Sequence, residues 1–101
     1  MNMNSNGYIP RPIDTSDVVL SDELLALAES LAENTHELWA VGKMRMGYVW
    51  GAETDDAAMT HRNLVPYDQL SEADRDYDRN TSIGTLKLLV KLGWTLTPPE
   101  A

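Results

Sequence analysis

The side chains best suited to chemistry in this chain of 101 residues sit in one short stretch, LAENTHELWA, residues 31–40. It reads as the middle of an amphipathic helix, yet it carries one of two histidines and one of three tryptophans, three positions apart. At about 100° per residue, His36, Trp39 and Lys43 share one line on a helix surface. That line offers an aromatic face, a titratable donor and acceptor, and a cation. A purine nucleotide asks for the same three things: a stacking surface, hydrogen bonds to the base edge, and charge near phosphate. The plainer alternative is packing, with Trp39 on the core boundary, His36 bonded to a backbone carbonyl and Lys43 complementing the helix C-terminus. From spacing alone packing is the better reading.

The other clusters carry less. Asp55 and Asp56 with His61 hint at a metal, but there is no second histidine nearby and no EF-hand spacing, so a solvated loop is the better reading. Asp74, Asp76 and Asp78 share a helix start with Arg75 and Arg79 and read as a solvated first turn. Nothing resembles a nucleophile elbow, a GxxxxGK[ST] loop or a GxGxxG loop, so no catalytic residue, metal ligand or cofactor is expected. The sequence predicts a protein that is not an enzyme. Cysteine is absent, which excludes disulfides, zinc-thiolate sites and thiol nucleophiles. A net charge of −8 argues against nucleic acid and anionic membrane as partners. The N-terminal MNMNSNGYIP lacks a basic and an apolar region, and no apolar run approaches the roughly 18 residues of a membrane span. A cytoplasmic location is the expectation.

Two long helices must position these residues. Residues 1–7 are polar and expected to be disordered, residues 8–98 to form one domain, and residues 99–101 a tail. Pro10 and Pro12 make an extended arm of YIPRPIDTSDVVL, which leads Val18 and Leu20 towards the core. Ser21 is a good N-cap followed by Asp22 and Glu23, and Gly47 a fitting stop after Lys43 and Arg45, so a helix is predicted over 22–46. Leu24, Leu27, Ala28, Leu31, Thr35, Leu38 and Gly42 form its expected core stripe. Trp39 falls about 60° off that stripe, and Glu29, Glu33 and Glu37 face solvent opposite. YVWG reads as a short strand, and Tyr48 and Trp50 complete the candidate ligand set. HRNLVPYDQL reads as a loop. Ser71 with Asp74 resembles a capping box opening a second helix over 72–92, and WTLT after Gly93 reads as another short strand. The segment 83–92 is apolar on nearly every face, which suits burial or a partner chain.

Five segments together carry a resemblance: YIPRPIDTSDVVL, LAENTHELWA, GYVWG, HRNLVPYDQL and TLKLLVKLGW, in that order and spacing. They resemble the RyR domain, a repeat found in tandem pairs in ryanodine receptor channels and singly in bacterial and phage proteins. The channel repeats more often show the GYVWG aromatics in reverse order, and a proline where Arg62-Asn63 stands here. The resemblance implies an α+β, mainly helical fold of two long antiparallel helices with short β elements, not a channel. It implies that Trp39 stacks on an adenine-type ring with His36 beside it and Lys43 near phosphate. It further implies a cleft shared between two subunits of a homodimer, in a sensor or sequestering role. The competing expectation is a protein-interaction module with no small-molecule ligand.

Overall fold

The computed structural model describes residues 6–100, arranged as helix α1 (Asp22–Arg45), strand β1 (Val49–Trp50), strand β2 (Thr60–His61), 3₁₀ turn η1 (Tyr67–Gln69) and helix α2 (Glu72–Lys91). It is α+β and mainly helical. Both helix starts follow from local chemistry. The Ser21 hydroxyl accepts the Leu24 N–H at 3.2 Å. Ser71 accepts the Asp74 N–H at 3.1 Å and donates its own hydroxyl to the Asp74 carboxylate at 2.9 Å, a reciprocal cap. Each helix ends one residue earlier than its pattern predicts, before Met46 and Leu92. Gly47 and Gly93 follow, both with φ of 97°, a backbone that residues with a Cβ rarely adopt.

The strand read in YVWG exists as β1, but its partner was read as loop. β1 pairs with β2 in parallel, Val49 beside Thr60 and Trp50 beside His61. The link 51–59 folds back on itself through an antiparallel bridge between Asp55 and Thr60. Gly51 makes this possible, because a Cβ there would lie 2.6 Å from that of Thr60. WTLT does not form a strand. Gly93 instead turns the chain, the Trp94 N–H donates to the Leu89 carbonyl at 3.0 Å, and Leu96 packs on the core. The expectation of disorder over 1–7 falls mostly on residues 1–5, outside the described residues.

The core corrects the predicted stripe of α1. The residues of α1 that are buried are Ala28, Ala32 and His36, with Trp39, Ala40 and Lys43 half-buried beside them, whereas Leu27, Leu31 and Leu38 are exposed. The inward face keeps Leu24 and Ala28 of that stripe but is turned towards the line of His36, Trp39 and Lys43. Size explains the rotation: interhelical distance is set by the side chains at the contact, and alanines let the two backbones close where leucines hold them apart. One core cluster joins Leu20 and Ala28 to Leu86, with Val18, Leu24, Ile83, Leu89 and Val90 around it. A second joins Ala32 to Tyr67 and Leu70. The apolar end of α2 is thus mostly occupied within the chain, although Leu92 stays exposed.

Outside the core, Arg79 ties the two helices together. It donates to Glu29 of α1, at 2.5 and 3.1 Å, and to Glu72 and Asp76 of its own helix, at 2.6 and 2.9 Å. The Arg79 guanidinium holds the Glu29 carboxyl below its ordinary range, and Arg75 together with Arg79 does the same for Glu72. Their charged forms favour the fold, so this contribution is present above the ordinary carboxylate pKa and is lost as pH falls through the depressed values. Arg79→Leu is expected to lower the melting temperature at neutral pH, with the gap to wild type closing as the solution is acidified. A gap independent of pH would show that the arginine acts by packing alone. Ala32→Leu is expected to destabilise by about 1 to 3 kcal/mol in chemical denaturation, since Tyr67, Leu70 and Val65 pack around a fully buried Ala32.

Candidate functional site

The rotation of α1 brings its most reactive side chains against the rest of the molecule. His36 is buried, and its Nε2 lies 2.7 Å from the Val65 carbonyl, which can only accept, so Nε2 carries the proton. The bond pins the loop after β2 to the middle of α1. One turn on, the Trp39 ring stacks on the His36 ring at 5.5 Å between centroids with 26° between planes. The His61 ring, delivered by β2, meets Trp39 edge-on at 4.7 Å and 77°. An indole is thus clasped by two imidazoles, one from its own helix and one from β2.

Trp39 is half-buried, and the open side of this clasp is a cleft of about 380 Å³. Thr35, His36 and Trp39 of α1, His61 and Asn63 of the loop, and Asp74, Tyr77 and Asp78 of α2 line it, with Leu70 at its base. The volume lies in the range of small-molecule sites, about 300 to 1,000 Å³.

The cleft is electrically two-sided. On the α2 side Asp78 makes no ion pair among the described residues, and burial together with neighbouring Asp74 raises its pKa, partly offset by His36. On the β2 side the His61 pKa is lowered, first by burial and then by the positive charges of Lys43 and Arg62. The Asn63 N–H donates to His61 Nδ1 at 3.1 Å, so the neutral ring carries its proton on Nε2.

Of the five residues singled out in the sequence, the structure brings two into this cleft, His36 and Trp39. Lys43, Tyr48 and Trp50 form an adjoining group outside its lining. The Lys43 ammonium lies 4.4 Å from the centre of the Tyr48 ring, a cation–π contact. Tyr48 donates to Asp56 at 2.8 Å, and the Trp50 indole N–H donates to the Arg62 carbonyl at 3.2 Å. These bonds brace the β1–β2 unit that carries His61. Lys43 still acts on the cleft through its charge. Sequence reasoning missed His61, Asn63, Asp74, Tyr77 and Asp78. The spacing of Asp74 and Asp78, one turn apart, was visible, but nothing in the chain order placed that turn opposite Trp39.

Among the described residues no group of three or more histidine, aspartate or glutamate side chains is placed to hold a metal ion. Asp55 instead accepts the Ala57 and Ala58 N–H groups at 3.0 and 3.3 Å and shapes its own loop. Among the described residues no helix is long and apolar enough to cross a membrane.

The segments that carry the sequence resemblance now have a common purpose. The arm leads into the core, LAENTHELWA supplies the clasped tryptophan, GYVWG pairs with the histidine strand, and HRNLVPYDQL is pinned by His36. Residues 8–98 match the profile of the RyR domain. The chain belongs to the RyR domain family. The match spans both helices and every cleft residue, so the cleft is part of the domain itself, and membership supports an interaction or regulatory module. In this RyR domain His36 is the residue on which the cleft depends. His36→Phe keeps the ring and removes the donor, leaving the Val65 carbonyl unpaired. The expected cost is about 1 to 3 kcal/mol of stability in urea denaturation. A variant as stable as wild type would mean that the loop is held by its apolar anchors alone.

Proposed function

We propose that this RyR domain is a non-catalytic binding module whose cleft takes the ring of an adenine-type nucleotide or nucleotide-derived signal, one per chain, in a sensing or sequestering role. The observation that carries the reading is Trp39, half-buried between two imidazoles, with an acidic wall on one side and basic groups on the other. Every purine has a π-face for the indole, and base–aromatic stacking is sequence-tolerant and strong. Asp74 and Asp78 are acceptors for an exocyclic amino group, and a protonated Asp78 also donates to a ring nitrogen. Phosphates then belong on the opposite side, near Lys43 and Arg62, away from the carboxylates. This assigns each end of a nucleotide to the wall of opposite polarity.

The competing reading, a protein-interaction module without a small ligand, is favoured by the row of exposed apolar residues on α1, Leu27, Leu31, Leu38 and Val41. The two separate in a thermal-shift panel of adenosine, adenine mono- and triphosphates, guanosine and cyclic dinucleotides. A ligand at 100 times its dissociation constant stabilises the fold by about 2.7 kcal/mol. A flat response across the panel would favour the interaction module. With a hit in hand, Trp39→Ala is expected to cost about 1 to 3 kcal/mol of affinity by titration calorimetry. Lys43→Ala is expected to weaken phosphorylated ligands more than nucleosides, with the difference shrinking as salt is added. Equal losses for both would place the phosphates elsewhere.

A further inference from the structure

The leucines that α1 does not bury are not scattered. Leu24, Leu27, Leu31, Asn34, Leu38, Val41 and Arg45 follow one another at alternating steps of three and four residues. That is the spacing of a coiled-coil seam, a repeat of about 3.5 residues. At about 100° per residue the row lies within an arc of about 100°, and its centre is about 130° round the helix from the face that carries Ala28, Ala32 and His36. Within the chain the row is largely unpartnered: Leu27 is 42%, Leu31 38%, Leu38 65% and Val41 44% exposed. Only Leu24, at the row's beginning, joins the core.

We propose that this row is the contact of a twofold-symmetric dimer in which two copies of α1 lie antiparallel, centred on Asn34. The row itself specifies a second copy. Reversed about Asn34, it meets itself: Leu31 falls opposite the partner's Leu38, Leu27 opposite the partner's Val41, and Leu24 opposite the partner's Arg45. A self-complementary patch of this kind is what an isologous interface requires. Charge decides the direction. The first turn of α1 carries Asp22 and Glu23, and the last turn carries Lys43 and Arg45. Antiparallel pairing sets Glu23 against the partner's Arg45 at both ends and opposes the helix dipoles. Parallel pairing stacks like on like. The two copies of Asn34 meet on the axis, where each amide both donates and accepts, and a lone polar residue in such a seam fixes its register.

A groove waits at the end of the row. Residues 95–99 run beside the first turns of α1 and enclose about 520 Å³ with Glu23, Leu24 and Leu27. In the antiparallel pair that groove receives the last turn of the partner's α1, around Val41 and Arg45. The helix spans about 36 Å, long enough for a contact in the range of specific interfaces. Trp39 lies off the row, so each cleft stays open to solvent in the dimer, and the proposal stands independently of what the cleft binds.

Sedimentation of the full chain across a hundredfold concentration range tests it. The expected mass is twice the 11.3 kDa of one chain. L31K and L38K are expected to weaken association tenfold or more each, with unchanged far-ultraviolet circular dichroism because both side chains are exposed. Direction is read separately. The chain has no cysteine, so E23C and R45C are unique. A mixture of the two is expected to form a disulfide-linked heterodimer under mild oxidation, while neither variant links to itself. A monomer throughout would leave the row to a helix of another protein and overturn the proposal. A dimer indifferent to L31K and L38K would overturn it too, as would E23C linking to itself.

Discussion

A buried imidazole must keep its hydrogen bond, and the fold is arranged around the one His36 makes to Val65. Losing such a bond in the interior costs the desolvation of both groups, so the loop that carries Val65 has one place to lie against α1. That position sets the next ones. Tyr67 and Leu70, just downstream, close over Ala32, and Ser71 then opens α2 at the place from which its first turns face His36. Upstream, β2 pairs with β1 and presents His61 to the edge of Trp39. A single side chain–backbone bond thus fixes the loop whose two ends supply opposite walls of the cleft.

The electrostatics follow from the same arrangement. An acidic chain has carboxylates to spare, and it uses them unequally. Glu29, Glu72 and Asp76 are satisfied by Arg79 and sit on the outer edge of the helix pair. Asp78 is half-buried on the cleft wall with no ion pair among the described residues, and burial raises its pKa, which marks it as a candidate for ligand contact. On the facing wall the His61 pKa is lowered, first by burial and then by the charges of Lys43 and Arg62.

Much of this was legible from residue types. Ser21, Ser71, Gly47 and Gly93 announced the ends of both helices because caps and left-handed turns are local chemistry, decided within four residues. The pairing of His36 with Trp39 was legible for the same reason. What sequence could not yield was the direction in which α1 turns. Hydrophobicity favoured the leucines, but closeness favoured the alanines, and only the presence of α2 decides between them. The identity of the second wall was hidden likewise. His61 looked like a loop residue and Asp78 like solvated surface, and both acquire meaning only through neighbours far along the chain.

The two walls also differ in how the chain reaches them. Trp50 and His61, neighbours in the small sheet, are close in sequence, whereas His36 and Asp78 are separated by nearly half of the domain. Closing the longer loop costs about 1 kcal/mol more chain entropy than closing the shorter one. The sheet-and-loop wall is therefore a local unit held by its own short-range bonds, and the α2 wall is held by the tertiary contacts of the helices. Detachment of α2 opens the cleft from one side while the indole–imidazole edge contact persists. A ligand spanning both walls acts as a cross-link between two cooperative units, and it draws its stabilising effect from the seam at which they separate.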